Sequence, residues 1–247
     1  MIETSTLEAP PGRRLAYKFR PGLGPTLVFL PGYMSDMEGS KATALDAWAA
    51  EQGRAMLRFD YGGCGASSGA FEAQGLDDWL GDTLAVIDRA APEEPVVLVG
   101  SSMGGWLMLL AALARTERVA ALVGIAAAPD FTEWGYSEAE RRVLAEAGRL
   151  EQASPYGAEP FVTTHRFWES GQRHLLLDGP IALDCPVRLL HGQQDADVPW
   201  RNALALTQQL RSADVQTFLI KDGDHRLSRP QDIDLLIATV HALMEPA

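Results

Sequence analysis

Val96-Val97-Leu98-Val99-Gly100-Ser101-Ser102-Met103-Gly104-Gly105-Trp106-Leu107-Met108-Leu109-Leu110 decides the architecture of this 247-residue chain. A short apolar run leads into Gly100-Ser101-Ser102-Met103-Gly104, and an apolar segment rich in small residues follows, Gly105 to Ala114. This is G-x-S-x-G in the setting it needs, a buried strand, a tight turn and a helix. The spacing has a steric reason. Ser102 must occupy a cramped backbone conformation to lift its hydroxyl above the sheet. Glycines at 100 and 104 let strand and helix pass closely. The helix start behind Ser102 favours negative charge developing beside it.

Working outward, the chain alternates apolar runs with amphipathic segments. An opening hairpin is expected over 5–20, broken at Pro10-Pro11-Gly12, and a turn over 21–25. Buried strands are expected at Thr26–Leu30, Arg54–Phe59, Pro95–Val99, Val119–Ile125, Pro186–Leu190 and Val215–Ile220. Helices are expected at 41–52, 76–90, 105–114, 200–210 and 231–244. Strands alternating with helices imply an α/β fold, with a mostly parallel sheet and helices on both faces. The alternation breaks over 130–183, where two helices are expected, 137–150 and about 159–176, with a turn at 154–157 between them. That gives a core of 1–129 and 184–247 carrying a helical cap. The cap's aromatics include Phe131, Trp134, Tyr136, Phe161, Phe167 and Trp168. Most of them are accounted for by packing in a small helical layer. A few facing the pocket would shape an apolar acyl or aryl site.

Composition narrows the function. A hydrophobic content of 47% and a charged content of 22% fit a globular protein with one sizeable core. A net charge of −12 disfavours nucleic acid and anionic membrane surfaces as partners. Two cysteines, Cys64 and Cys185, make no disulfide framework, and no Cys/His group has metal-ligand spacing. No bound metal or cofactor is expected. No apolar run approaches the ~18 residues of a membrane span. The N-terminal residues lack signal- or transit-peptide features, so the expected address is cytoplasmic. The glycine-rich turn Asp60-Tyr61-Gly62-Gly63-Cys64-Gly65 is no P-loop, since the Gly-Lys-Ser/Thr ending is missing.

A serine hydroxyl needs a base, and the base needs an orienting carboxylate. In this architecture the chain order is serine, acid, histidine. There are five histidines, so the base can be sought by elimination. His225 follows the last strand in the loop Lys221-Asp222-Gly223-Asp224-His225, the right topological place. His191 ends a strand and reads as structural, His165 and His174 lie in the cap, and His241 lies on the last helix. After the Val187–Leu190 strand, Asp195 and Asp197 both offer a carboxylate. The pattern H-G-x-x-D-x-x-V-P favours Asp195, and Asp197 reads as a solvated turn residue. Asp184 is at the wrong end of the strand. Two N–H groups are needed for the developing oxyanion. The expected donors are Met103, after the serine, and Tyr33, in the Pro31-Gly32-Tyr33 loop after the first buried strand.

Several longer runs are more distinctive: Phe29 to Ala42, Arg58 to Gly63, Val99 to Met108, Cys185 to Gly192, and Asp224-His225-Arg226. Together they resemble the mitochondrial palmitoyl-protein thioesterase family that also hydrolyses mycophenolic acid acyl-glucuronide, the tenth numbered α/β-hydrolase-domain protein of animals. The resemblance runs from about Thr26 to the C-terminus and is weakest across the cap. It implies the α/β-hydrolase fold with a cap insertion, and the same triad of Ser102, Asp195 and His225. It also implies hydrolysis of acyl thioesters and activated esters through an acyl-serine. The expected partner is thus an ester or thioester substrate, a small molecule or an S-acylated protein. Alternatives are a small-molecule carboxylesterase, a non-hydrolytic lyase or oxygen-chemistry enzyme of the same fold, and a silent binding module. Serine at 102 disfavours an aspartate-nucleophile dehalogenase or epoxide hydrolase.

Overall fold

A computed structural model of the chain describes residues 2–10, 12–91, 95–154 and 160–245. Strands β1 (Ser5–Ala9) and β2 (Arg13–Arg20) form the opening hairpin; Pro11 of its expected turn lies outside the described residues. Next come β3 (Leu23–Leu30), α1 (Ser40–Gln52), β4 (Arg54–Phe59), α2 (Leu76–Ala90), β5 (Val96–Ser101), α3 (Met103–Ala114) and β6 (Val119–Ile125). After an insertion the sheet resumes with β9 (Val187–Gly192), α7 (Arg201–Gln209), β10 (Val215–Ile220) and α8 (Pro230–Met244). The eight strands lie in the order β1-β2-β4-β3-β5-β6-β9-β10. β1 and β2 pair antiparallel at one edge, and every pairing from β4 to β10 is parallel. The mostly parallel sheet read from the sequence is therefore present.

Continuous apolar runs were needed because the central strands are covered on both faces. Val28, Leu30, Leu57, Phe59, Leu98 and Leu122 point into one cluster with Trp79 of α2 and Trp106 of α3. Their neighbours Leu27, Phe29, Met56, Val97, Val99 and Val123 point into a second, with Trp48 of α1 and Val240 of α8. The period-two alternation of side chains divides each strand between the two layers.

One buried charge pair fixes β2 to α2. The Asp82 side chain is fully buried, accepts from Arg13 Nε at 3.2 Å and from Gly62 N at 2.8 Å, and faces Arg13 Nη2. Burial pushes the Asp82 carboxyl up, against the pull of Arg13 and the Gly62 N–H. Arg13→Met is expected to cost about 3–5 kcal/mol in chemical denaturation, because it strands that carboxylate. Adding Asp82→Asn to that variant should recover part of the loss.

The insertion differs from the two helices expected. It contains α4 (Phe131–Trp134), α5 (Glu138–Ala147), β7 (Arg149–Gln152), β8 (Phe161–Thr164) and α6 (His165–Gln172). β7 and β8 pair antiparallel, from Arg149↔Thr164 to Gln152↔Phe161. Two local causes explain the hairpin. Gly148, with φ +73°, ends α5 in a left-handed cap and turns the chain back. Phe161-Val162-Thr163-Thr164 is aromatic and β-branched, a composition that prefers a strand. Residues 155–157 of the expected turn and Glu159, the expected start of the second helix, lie outside the described residues. β3 also begins at Leu23, inside the expected 21–25 turn, because Leu23 already pairs with Arg54 before a register shift.

Candidate active site

The sharp turn between β5 and α3 puts Ser102 at φ +55°, ψ −120°, a conformation that costs a non-glycine residue about 1–3 kcal/mol. Its backbone is held there: Ser102 N donates to Ile125 O at 2.9 Å, and Ser102 O accepts from Gly105 N at 2.9 Å and Ala128 N at 3.1 Å. The turn leaves no room for a side chain at either flanking glycine. A Cβ on Gly104 would lie 2.1 Å from Leu30 O, and one on Gly100 would lie 2.3 Å from Gly104 O. Gly104→Ala must push α3 off β3. It is expected to lower stability by more than about 3 kcal/mol and remove activity, read by thermal unfolding and an ester assay.

Three side chains from three loops meet in one hydrogen-bonded line. His225 Nε2 lies 3.1 Å from Ser102 Oγ, and His225 Nδ1 lies 2.9 Å from Asp195 Oδ2. Asp195 oxygens only accept when ionised, so neutral His225 carries its proton on Nδ1 and leaves Nε2 free to accept from the serine. The Asp195 carboxylate is fully shielded from solvent. Its other oxygen, Oδ1, accepts from Asp197 N at 2.9 Å and Val198 N at 2.8 Å. Burial opposes its charge, but hydrogen bonds from His191 and His225, the His225 charge and the Val198 N–H outweigh it. They hold the carboxyl well below the usual carboxylate range. The loops carrying acid and base touch directly: a Cβ on Gly192 would sit 2.2 Å from Gly223 O.

The remaining expectations separate cleanly. Asp197 is exposed on the same turn and contributes its backbone N–H to Asp195. Asp184 is fully exposed and paired with Arg211. Of the other histidines, His165 stacks near Trp168, His174 binds Asp77 and His241 lies beside Trp48 and Glu245. Asp195, Asp197 and His225 bring ligand atoms within 4.8 Å of one another. A cation there would have to displace the bonds that line up His225, so the donor set is not built for a metal.

The loop after β3 passes against the serine. A Cβ on Gly32 would lie 3.4 Å from Ser102 Cβ and 3.3 Å from Ser101 O. Met103 opens α3 immediately behind Ser102. Two of the other positive-φ residues flank the site as well, Met34 in the 31–34 loop and Leu227 just beyond His225. Neither is legible from sequence, since methionine and leucine are not residue types that favour left-handed φ. The Tyr33 side chain ties this loop to the insertion: its hydroxyl donates to Val162 O of β8 at 2.7 Å. Its ring lies among Phe71, Trp79, Phe131, Phe161 and Phe167. Burial pushes its phenol well above the ordinary value.

Ser102 and His225 open into a cavity of about 710 Å³. Phe131, Trp134, Tyr136 and Phe161 of the insertion form one wall. Two further insertion aromatics pack instead: Phe167 is buried in the core, and Trp168 Nε1 donates to Thr132 O at 2.9 Å. The lining also includes the polar residues Asp36, Ser40, Lys41, Asp197, Arg226 and Ser228. Lys41 Nζ donates to Arg226 O at 2.5 Å and so braces the loop after His225 from α1. Burial, and then the Arg226 charge, push its ammonium down to about 8.

A family model described as serine aminopeptidase, S33, matches residues 25–157. The rat palmitoyl-protein thioesterase ABHD10, mitochondrial, is 41% identical over 245 residues, 98% of this chain and 82% of that protein. The chain belongs to the ABHD10 family of α/β-hydrolases. Two solved structures agree. A putative hydrolase from Agrobacterium vitis S4 superposes with a TM-score of 0.94 at 42% identity, covering 99% of this chain and 100% of that one. Mouse ABHD10 superposes with a TM-score of 0.91 at 40% identity, covering 98% of both chains. The α/β-hydrolase fold and a serine hydrolase activity follow from ABHD10 family membership. The cytoplasmic address expected from the N-terminal residues does not stand, because the rat, mouse and human ABHD10 relatives are named mitochondrial proteins. No helix among the described residues is long and apolar enough to cross a membrane.

Proposed function

We propose that this protein hydrolyses long-chain acyl thioesters of the S-acyl protein type, and carboxylic esters more slowly, through an acyl-Ser102 intermediate. The observation that carries the reading is the Ser102–His225–Asp195 line opening into a cavity with an aromatic wall. The cavity volume lies in the ~300–1,000 Å³ range of small-molecule sites. Residues 130–183 act as a cap on a catalytic core made of 1–129 and 184–247, and Phe131, Trp134, Tyr136 and Phe161 hold the acyl chain.

His225 Nε2 takes the Ser102 proton as Oγ attacks the acyl carbon. The N–H groups of Met103 and Tyr33 receive the oxyanion, and the α3 N-terminus adds its partial positive charge. His225 returns the proton to the departing sulfur or oxygen. A water then enters, loses a proton to His225 and attacks the acyl-serine, releasing the acid and restoring Ser102. Asp195 keeps its charge throughout and stabilises the imidazolium. The name of the rat, mouse and human relatives, palmitoyl-protein thioesterase, supports the thioester half of the reading.

Paired oxygen esters and thioesters over a series of acyl lengths test it. Long-chain thioesters are expected to give the highest kcat/KM. If only short or aryl-activated esters react, the protein is a small-molecule carboxylesterase and the thioesterase reading is abandoned.

A further inference from the structure

Asp195 Oδ2 faces two imidazoles. Besides His225 Nδ1 at 2.9 Å, His191 Nε2 lies 3.2 Å away. His191 is the end residue but one of β9 and is 1% exposed. Its Nε2 also lies 3.0 Å from Val198 O. Both neighbours of that nitrogen are acceptors, so Nε2 must carry the proton; its N–H is hydrogen-bonded to Val198 O and lies close beside Asp195 Oδ2. The other ring nitrogen, Nδ1, is buried and has no hydrogen-bond partner among the described residues. A proton moved to Nδ1 would leave a buried donor unpaired and set Nε2 against a carbonyl and a carboxylate. The environment therefore locks one tautomer, with its N–H aimed at the acid turn.

That N–H lies beside the oxygen on which the base depends. Oδ1 is anchored by two backbone N–H groups, Asp197 and Val198. Oδ2 has His225, which must move proton density during each turnover, and His191, which need not. We propose that His191 is a positioning residue of the reaction: its Nε2–H, held in place by Val198 O, lies 3.2 Å from Asp195 Oδ2 and offsets part of its negative charge, so that the carboxylate aims His225 without overbinding the imidazolium. The inference rests on the proposed triad. It reassigns a side chain whose place at a strand end reads as purely structural. Burial of Asp195 makes the role consequential, because a carboxylate shielded from water has no solvent donor to replace a lost one.

The titratable groups facing this pair are His191, His225 and Asp197. Asp195 stays ionised well below the usual carboxylate range, so the acidic limb of kcat/KM belongs to the imidazole and not to the acid. Without the His191 N–H, the full charge of Oδ2 falls on His225 and favours its protonated, inactive form. The limb must then move to higher pH.

The test compares wild type, Ser102→Ala, His191→Phe and His191→Gln by kcat, KM and the pH profile of kcat/KM. A glutamine amide nitrogen is as many bonds from Cα as histidine Nε2, so His191→Gln can restore the donor. His191→Phe is expected to lose about ten-fold in kcat with KM little changed and its acidic limb shifted up, and His191→Gln to recover both. If the phenyl ring prevents folding, His191→Leu removes the same donor in less volume. A limb that stays in place or moves down, or a glutamine variant as impaired as the phenylalanine one at equal Tm, overturns the proposal. Retained activity in Ser102→Ala would instead sink the triad reading on which it rests.

Discussion

Ser102→Ala is expected to fold as the wild type does and to lose hydrolytic activity by about 10⁴-fold or more. Folding survives because nothing that shapes the turn depends on Oγ. The positive φ is enforced by the backbone bonds to Ile125, Gly105 and Ala128 and by the close passage of Gly100 and Gly104. Alanine has the same Cβ as serine at φ +55° and adds no strain. The one bond lost is to His225 at 3.1 Å, on a surface open to the cavity. Activity collapses because, among the described residues, Ser102 is the hydroxyl hydrogen-bonded to His225 Nε2. Whatever turnover remains comes from the oxyanion donors and from holding the substrate. An unchanged circular dichroism spectrum and Tm, together with an ester assay, separate the two effects.

Asp195→Asn is expected to lose about 10⁴-fold in kcat, and Asp197→Asn to stay within a few-fold of wild type. The difference is one of hydrogen-bond direction. An asparagine at 195 can turn its NH₂ toward His225 Nδ1, which moves the imidazole proton to Nε2. That nitrogen then points a proton at Ser102 and cannot accept one. Asp197 contributes to the acid turn through its backbone N–H, which asparagine keeps. Equal losses at the two positions would show that the acid has been chosen wrongly. Asp195→Asn also has a pH signature in stability. The folded carboxyl titrates below its unfolded value. Its ionised form therefore stabilises the fold fully above the ordinary carboxylate range, and that contribution is lost progressively as pH falls from that range down through the lowered folded value. The variant should show a flatter acid-denaturation curve there than the wild type.

How much of this was legible beforehand follows from which signals are local. The elbow was readable because its steric demands are written as glycines at 100 and 104 around Ser102. The sheet was readable because two-sided burial leaves continuous apolar runs such as Leu27 to Leu30. His225 and Asp195 were readable from order along the chain: each follows a strand of the same sheet, and the strand ends bring them together. The β7–β8 hairpin was less so. Its strands are four residues each, and Glu151 and Gln152 suit a helix as well as a strand. Gly148 was the local sign of a stop. Tyr33 was expected for its backbone N–H alone, while its hydroxyl ties the serine-side loop to Val162, a contact across 129 residues. The nearness of His191 to Asp195 was hidden for a similar reason. The contact spans only four residues, but it depends on the fold of the 192–198 turn, which no periodicity reports.

The most direct test of the account is the mass of the protein quenched within its first turnover on a long-chain acyl thioester, followed by peptide mapping. The expected result is a single acyl group on Ser102, absent in Ser102→Ala and cleared as substrate is exhausted. Steady hydrolysis with no acyl-protein at any quench time, or the acyl group on another side chain such as Cys64, would contradict it.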